Sequence, residues 1–224
     1  MDRRSYNQFC ATAKTLDVIG ERWTLLIIRE LITGPKRYTD LLESLPGIGT
    51  SLLAARLKHL ERSELIRHVE LPPPAGSKVY ELTEAGRDLE PTVMAIARWG
   101  LRWALGAPEP DDAFRPGWAV LAMQAAYHED AAAGVEETYE FRVGEEVFHA
   151  RVHGGGVKAR HGPAYEPDLV ISVAEDAFID LVAGRATIAQ AAKQGWIDAD
   201  GSRTALNNCS AIFDRPKLAA PAAA

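Results

Sequence analysis

The stretch "LLESLPGIGTSLLAARLKHLERSELI", residues 41–66, decides the fold. Pro46-Gly47 splits it into two apolar stripes, because proline cannot continue helical hydrogen bonding and glycine frees the turn. With Leu53 set at zero on a wheel of about 100° per residue, Leu57 and Leu60 fall within ~40° of it. Ser51, Ala55 and Lys58 fall on the far side, flanked by Ala54 and His59. One face packs, while the other is small and polar with a cation at one end, and fits a major groove about 12 Å wide. The pair reads as a helix-turn-helix with residues 50–61 as the recognition helix. An αα-hairpin that only packs has the same pattern.

Upstream, "TLDVIGERWTLLIIRELITGPKRYTDLLESLPG" (15–47) reads as three helices separated by breakers. Trp23, Ile27 and Leu31 recur every four residues, and Gly34-Pro35 stops that helix. Thr39 is the expected N-cap of the next, with Asp40 in its first turn. Downstream, "LIRHVEL" (65–71) and "KVYEL" (78–82) alternate apolar and polar residues around the turn-rich "PPPAGS". They read as a hairpin, the wing of a winged helix. Thr83 caps a further helix that Pro91 kinks or breaks, and its Ile96, Trp99 and Trp103 share a stripe suited to a dimer interface or to a core.

The chain has 224 residues, 47% hydrophobic and 25% charged, with a formal net charge of -6. Divided at the Pro-rich "GAPEPDDAFRPG", it is asymmetric: residues 1–105 carry 15 Lys/Arg against 13 Asp/Glu, and 106–224 carry 10 against 18. The first half is free to approach phosphates while the second repels them. No run approaches the ~18 apolar residues of a membrane span, and the N-terminus lacks the apolar core of a signal peptide, which favours the cytoplasm. Two cysteines, Cys10 and Cys209, do not make a disulfide framework, and no Cys/His spacing suits zinc. His149, His153 and His161 lack a convergent carboxylate, "HGGGVK" lacks the context of a phosphate loop, and no nucleophile-base-orienter set is visible. No cofactor, metal or catalytic residue is expected.

In the second half, "YEFRV" (139–143) and "VFHARV" (147–152) alternate as a hairpin around Gly144. "HGGGVKARH" turns into a third strand, "DLVISV" from 168 is a fourth, and "WIDADG" a last. "EDAFIDLVAG", "ATIAQAAKQG" and "SRTALNNCSAIF" read as helices. An antiparallel sheet with helices on one face is an α+β arrangement.

Residues 10–103 resemble the HxlR-type winged-helix transcription regulators, a branch near the MarR group. The resemblance rests on Gly20 and Trp23, Gly34-Pro35, "LPGI" at 45–48, "RL" at 56–57, "LTEAG" at 82–86 and "ARWG" at 97–100. It implies a homodimer on palindromic operator DNA, with Arg56 at the family's usual arginine; the wheel turns Arg56 toward the packed side, where an ion pair or a phosphate contact are equal alternatives. Candidate phosphate contacts are Lys36, Arg37, Lys58 and Lys78, and candidate base contacts Thr50, Ser51 and Ala55 on the free face. Cys10 stands where many members carry a cysteine that in some senses oxidants or electrophiles; Lys14 one turn later would depress its pKa, and the alternative is a small buried hydrophobe.

Residues 114–213, most closely "DLVISVAEDAFIDLVAGRATIAQAAKQGWIDADGSRTALNNCSAIF", resemble the sterol carrier protein type 2 fold. That implies an apolar tunnel for acyl chains, sterols or similar lipids, although some members have closed cores. Candidate walls are Phe141, Phe148, Ile171, Phe178, Leu181, Val182, Ile188, Trp196, Leu206 and Phe213. The expected organisation is a winged-helix domain 1–105 with a dimerising last helix, a linker 106–116, a sterol-carrier-like domain 117–213 and a disordered tail 214–224. The expected function is a non-enzymatic, homodimeric DNA-binding transcription regulator controlled by an apolar ligand. The rival is a lipid-binding or interaction protein whose winged helix serves only dimerisation.

Overall fold

Leucine and isoleucine at three- and four-residue spacing gather the first part of the chain around one core. The computed structural model describes residues 5–72, 76–106, 108–109 and 111–214. By internal contacts the chain divides into Met1–Val93 and Met94–Ala224. The first unit runs α1 (Ala11–Ile19), α2 (Thr24–Ile32), α3 (Tyr38–Ser44), α4 (Thr50–Arg62), β1 (Ile66–Glu70), β2 (Lys78–Leu82), α5 (Glu84–Arg87) and the start of α6 (Glu90–Trp103). Ile27, Ile28, Leu31, Leu41, Leu45, Leu53, Leu57 and Leu60 are buried together. Each contributes roughly 1.5–3 kcal/mol relative to exposure.

Two glycines carry the tight places. Gly47 turns between α3 and α4 at φ +89, and its bare α-carbon faces the Trp23 ring, where a Cβ would sit 3.6 Å from the indole. A Cβ on Gly86 would lie 2.0 Å from the Leu65 carbonyl oxygen, so only glycine lets α5 approach the strand end. Thr83 caps α5 as expected, accepting the Gly86 N–H at 3.1 Å and donating to the Glu64 carbonyl at 2.6 Å. The helical run breaks at Asp88-Leu89, and Pro91 sits in the first turn of α6, where its missing N–H costs nothing.

Two local expectations are corrected. The N-cap of α3 is Arg37, not Thr39: Asp40 at the third helical position accepts the Arg37 N–H at 3.0 Å, which starts the helix two residues earlier. Trp23 is the N-cap of α2 at φ +79 rather than a residue inside it, and the packing of its ring on the Gly47 turn offsets the left-handed backbone. The expected wing strands pair antiparallel, Ile66 opposite Leu82 through Glu70 opposite Lys78. Lys36 adds a third short rung, exchanging backbone hydrogen bonds with Tyr80 at 3.0 and 2.8 Å. The turn positions 73–75 lie outside the described residues.

In the second unit, α7 (Ala119–Ala125) and α8 (Glu129–Ala132) precede β3 (Glu137–Val143), β4 (Glu146–His153), β5 (Gly156–His161) and β6 (Leu169–Val173). Then follow α9 (Glu175–Val182), α10 (Ile188–Gln194), β7 (Ile197–Gly201) and α11 (Arg203–Phe213). The strand order is β5-β4-β3-β6-β7. The α+β class holds, but the sheet is mixed: β3 and β6 run parallel while the other pairs are antiparallel. The segment 162–168 crosses the outer face of the sheet before β6 begins. Buried Glu140 holds it there, accepting the Ala164 N–H at 2.7 Å while pairing with Arg142 at 2.7 Å. On the inner face Tyr139, Phe141, Val143, Phe148, Ala150, Val152, Leu169 and Ile171 pack against the helices. Asp214, assigned by composition to the tail, belongs to this fold, whereas 215–224 lie outside the described residues.

Candidate nucleic-acid interface and ligand cavity

The turn at 45–49 sets α4 so that its two faces separate sharply. Leu53, Leu57 and Leu60 are buried, and Thr50, Ser51, Ala54, Ala55 and Lys58 are exposed. Tyr38 of α3 donates its hydroxyl to the Thr50 carbonyl at 2.8 Å, tying the two helices at the start of α4, a contact 12 residues apart that no local sequence pattern marks. Arg56 forms an ion pair with Glu21 and donates Nε to the Arg22 carbonyl at 3.2 Å, so its guanidinium is engaged within the unit. His59, expected beside the free face, is half-buried, with Nε2 2.8 Å from the Val18 carbonyl oxygen. Arg37, Lys58 and Lys78 are exposed, and Lys36 is half-buried at its rung with Tyr80. Lys78 stands directly opposite Glu70 on the wing.

Cys10 is exposed at the N-cap of α1. The first-turn N–H groups of Ala13 and then Thr12 hold its thiol below the usual range. Lys14, expected to do this, pairs instead with Asp17 at 3.6 Å. Cys209 is fully buried, and burial pushes its thiol well up.

On α6, Ile96, Trp99 and Trp103 lie on the outside, the two indoles 60% and 63% exposed. On the same helix Leu101 turns inward to line an apolar cavity of about 80 Å³. Seven of the ten expected wall residues border it: Phe141, Ile171, Phe178, Leu181, Val182, Ile188 and Phe213. Three do not: Phe148 is wholly buried in the core, Leu206 packs at the core edge, and Trp196 is 46% exposed. Ala122, Met123 and Ala126 complete the wall from α7 and its end. That short alanine-rich helix follows Pro116-Gly117 and has no polar face to mark it.

The space is far smaller than a lipid tunnel, below the ~150 Å³ of a cavity that holds benzene. Aromatic rings fill it: Phe141 stacks on Phe148 at 5.3 Å, Phe148 meets Phe178 at 5.9 Å, and Phe213 stands edge-on to Tyr139 and Phe141 at 5.8 and 6.3 Å. Asp214 is the one ionisable group on the wall. It accepts the Ile188 N–H at 2.8 Å and the Ser210 hydroxyl, and burial raises its pKa. Among the described residues no group of three or more His, Cys, Asp or Glu is placed to hold a metal, and no helix is long and apolar enough to cross a membrane.

A winged helix with an open recognition face, in one chain with a sterol-carrier-like α+β unit, defines a helix-turn-helix protein that carries a second domain of a different fold. The chain belongs to the HxlR-like helix-turn-helix family, which matches residues 18–107, and the SCP-2 sterol transfer family matches residues 120–214. The HTH-type transcriptional regulator YodB of Bacillus subtilis is 35% identical over 94 residues, covering 42% of this chain and 84% of YodB. YdeP, an uncharacterized HTH-type transcriptional regulator of the same organism, is 37% identical over 95 residues, covering 42% and 73%. The solved reduced form of YodB aligns at 33% identity with a TM-score of 0.38, over 47% of this chain and all of that one. The protein is thus a transcription regulator with a DNA-binding helix-turn-helix, and its named relatives are regulators rather than enzymes.

Proposed function

We propose that the protein is a non-enzymatic, cytoplasmic homodimer that reads a palindromic operator, with α4 of each copy in successive major grooves about 34–36 Å apart. The observation that carries this reading is the free face of α4, small and polar with Lys58 at one end. Thr50, Ser51 and Ala55 meet base edges and methyl groups. Lys58, Lys36, Arg37 and Lys78 meet phosphates and set the register. Ile96, Trp99 and Trp103 supply the dimer contact, which would cover their exposed rings. In this organisation residues 1–105 bind DNA and dimerise, 106–116 link, and 117–213, together with Leu101 and Asp214 on the cavity wall, hold the ligand. The test begins with selection of an operator from a random duplex library, followed by anisotropy titrations. Lys58→Ala with Lys78→Ala removes four phosphate contacts from the two copies and should lower the salt slope by about 3.6, at ~0.9 per contact. Unchanged binding refutes the docking.

An apolar or lipid-like molecule in the second unit controls the dimer. The apolar walls and the place of Leu101 on the helix that carries Trp99 and Trp103 support this. Since the cavity is small, the ligand must displace rings, Phe213 first. Linkage requires DNA to change ligand affinity by the same factor as ligand changes DNA affinity. Coupling of three-fold or less refutes control by ligand and leaves the regulator intact. Native mass spectrometry of freshly purified protein reads subunit count and retained ligand together. A clean apo dimer makes Cys10, with its lowered pKa, the input instead.

A further inference from the structure

β4 and β5 form a two-stranded ribbon whose outward side chains include Arg151, Lys158 and Arg160 and no carboxylate. His149, Arg151 and His153 project from the outer face of β4, and Lys158 and Arg160 from that of β5. The register sets Arg151 directly opposite Lys158 and His149 opposite Arg160. The like charges of Arg151 and Lys158 placed so are destabilising, and a fold that keeps them has a use for them. Three of the ten Lys/Arg after residue 105 lie in 147–165, and none of the 18 Asp/Glu. The ribbon is therefore a basic strip in the acidic half of the chain: Glu136, Glu137 and Glu166 border one hollow with Arg151, while Lys158 and Arg160 stand exposed on the edge strand.

Lysine on an edge strand also discourages sheet extension, which accounts for Lys158 and Arg160 on β5. That does not explain Arg151 and His149, because β4 is paired on both sides. Of the acids that line a hollow with Arg151, Glu136 is engaged by the Gly154 N–H at 2.9 Å and by His153, and Glu137 by the Tyr139 hydroxyl at 2.6 Å and the Asn208 amide at 2.9 Å. Asp198 and Asp200 on β7 make face-to-face pairing of two copies the competing use. The segment 162–168 lies on that same face, held through Glu140 and through His149, whose Nδ1 is 2.9 Å from the Gly162 carbonyl oxygen; it would hold two sheets apart.

We propose that the β4–β5 ribbon is a second, sequence-independent DNA contact in which Arg151, Lys158 and Arg160 grip the phosphate backbone. The inference rests on the chain's class as a DNA-binding regulator, not on its dimer or its ligand. The flexible Lys158 and the planar guanidinium groups suit phosphates without favouring any base.

The experiment uses the full chain and a labelled 40-base-pair mixed-sequence duplex, titrated by anisotropy from 50 to 200 mM salt. The Arg151→Ala/Lys158→Ala/Arg160→Ala variant, checked by circular dichroism, is compared with wild type and with Lys36→Ala/Lys58→Ala. Loss of the three contacts of each bound ribbon lowers the slope by about 2.7 per ribbon, so the ratio of wild-type to variant affinity grows by about 40-fold or more between 200 and 50 mM salt. Arg151→Lys/Arg160→Lys should restore most of the slope. An unchanged slope overturns the proposal, as does failure of wild type to bind this duplex at 50 mM salt. A change in self-association, or in binding to anionic vesicles, without a change in DNA slope overturns it in favour of that other partner.

Discussion

Phe213→Ala tests whether the aromatic plug is what keeps the sterol-carrier-like unit nearly closed. Phe213 stands edge-on to Tyr139 and Phe141 and borders the 80 Å³ cavity together with Phe178 and Ile188. Being half-buried at the end of α11, it should cost ~3 kcal/mol on truncation, the low end for phenylalanine in a core. For a unit of this size that lowers the midpoint of thermal unfolding by roughly 10 °C. Removing six ring carbons should also bring the space to about the ~150 Å³ that takes up benzene. Benzene at a hundred times its Kd then returns ~2.7 kcal/mol to the variant. The wild type, with its smaller cavity, gains nothing. Calorimetry of both proteins with and without benzene reads the pair of effects. A loss below ~1 kcal/mol, the scale of a surface change, or equal stabilisation of both proteins refutes the plug.

Gly86→Ala should destabilise the winged helix by ~1–3 kcal/mol or more, because its Cβ meets backbone at Leu65 rather than a side chain that can swing aside; urea unfolding shows it. Iodoacetamide should label Cys10 in the native protein, with a rate midpoint below the usual thiol pKa, and spare Cys209 until the chain unfolds. Equal labelling of both would sink the assignment. Asp214 has a folded pKa raised by burial, so its favourable contribution is fully present below its ordinary 3.8 and is lost as pH rises through the raised value. Wild type should therefore gain stability relative to Asp214→Asn as pH falls from neutrality through that window, and a flat difference would contradict the burial argument.

Periodicity carried most of the fold because both units are built from elements whose apolar residues face one way. The wheel on Leu53 separated the faces of α4 correctly, since three leucines and four small or charged residues leave one orientation. It put His59 at the margin of that face, where it is half-buried, but gave no sign of its partner, the Val18 carbonyl 41 residues away, which no local pattern encodes. The parallel β3–β6 pair was hidden for a similar reason: alternation fixes which face a residue takes, not the direction of its neighbour. Seven walls of the cavity followed from strand and helix faces, while Ala122 and Met123 came from a helix too short and too apolar to show a period. The cavity's size depends on how four phenylalanine rings meet, which composition does not specify. Charge was legible only as a sum: the -8 of the second half conceals the basic ribbon, visible once Arg151 and Lys158 are known to be opposite each other.

A ligand can change DNA affinity only as far as it binds two states of the protein differently. Within the second unit, α6 turns Leu101 toward the cavity and Trp99 and Trp103 outward, and Arg98 fastens it to the end of α7 by donating Nε to the Ala125 carbonyl at 2.8 Å. Residues on one helix do not move independently, so a displacement at Leu101 is a displacement of the indoles. A molecule of a few heavy atoms that fits 80 Å³ leaves Leu101 where it is, binds both states alike and has no leverage on DNA. A molecule that must part Phe213 and Leu101 to enter binds the parted state alone. On the proposed control by an apolar ligand, coupling to DNA should thus rise with ligand size beyond the volume of the resting cavity, even where the larger ligand binds more weakly. A homologous series of apolar alcohols separates this from control by affinity, since affinity and coupling would then change together along the series.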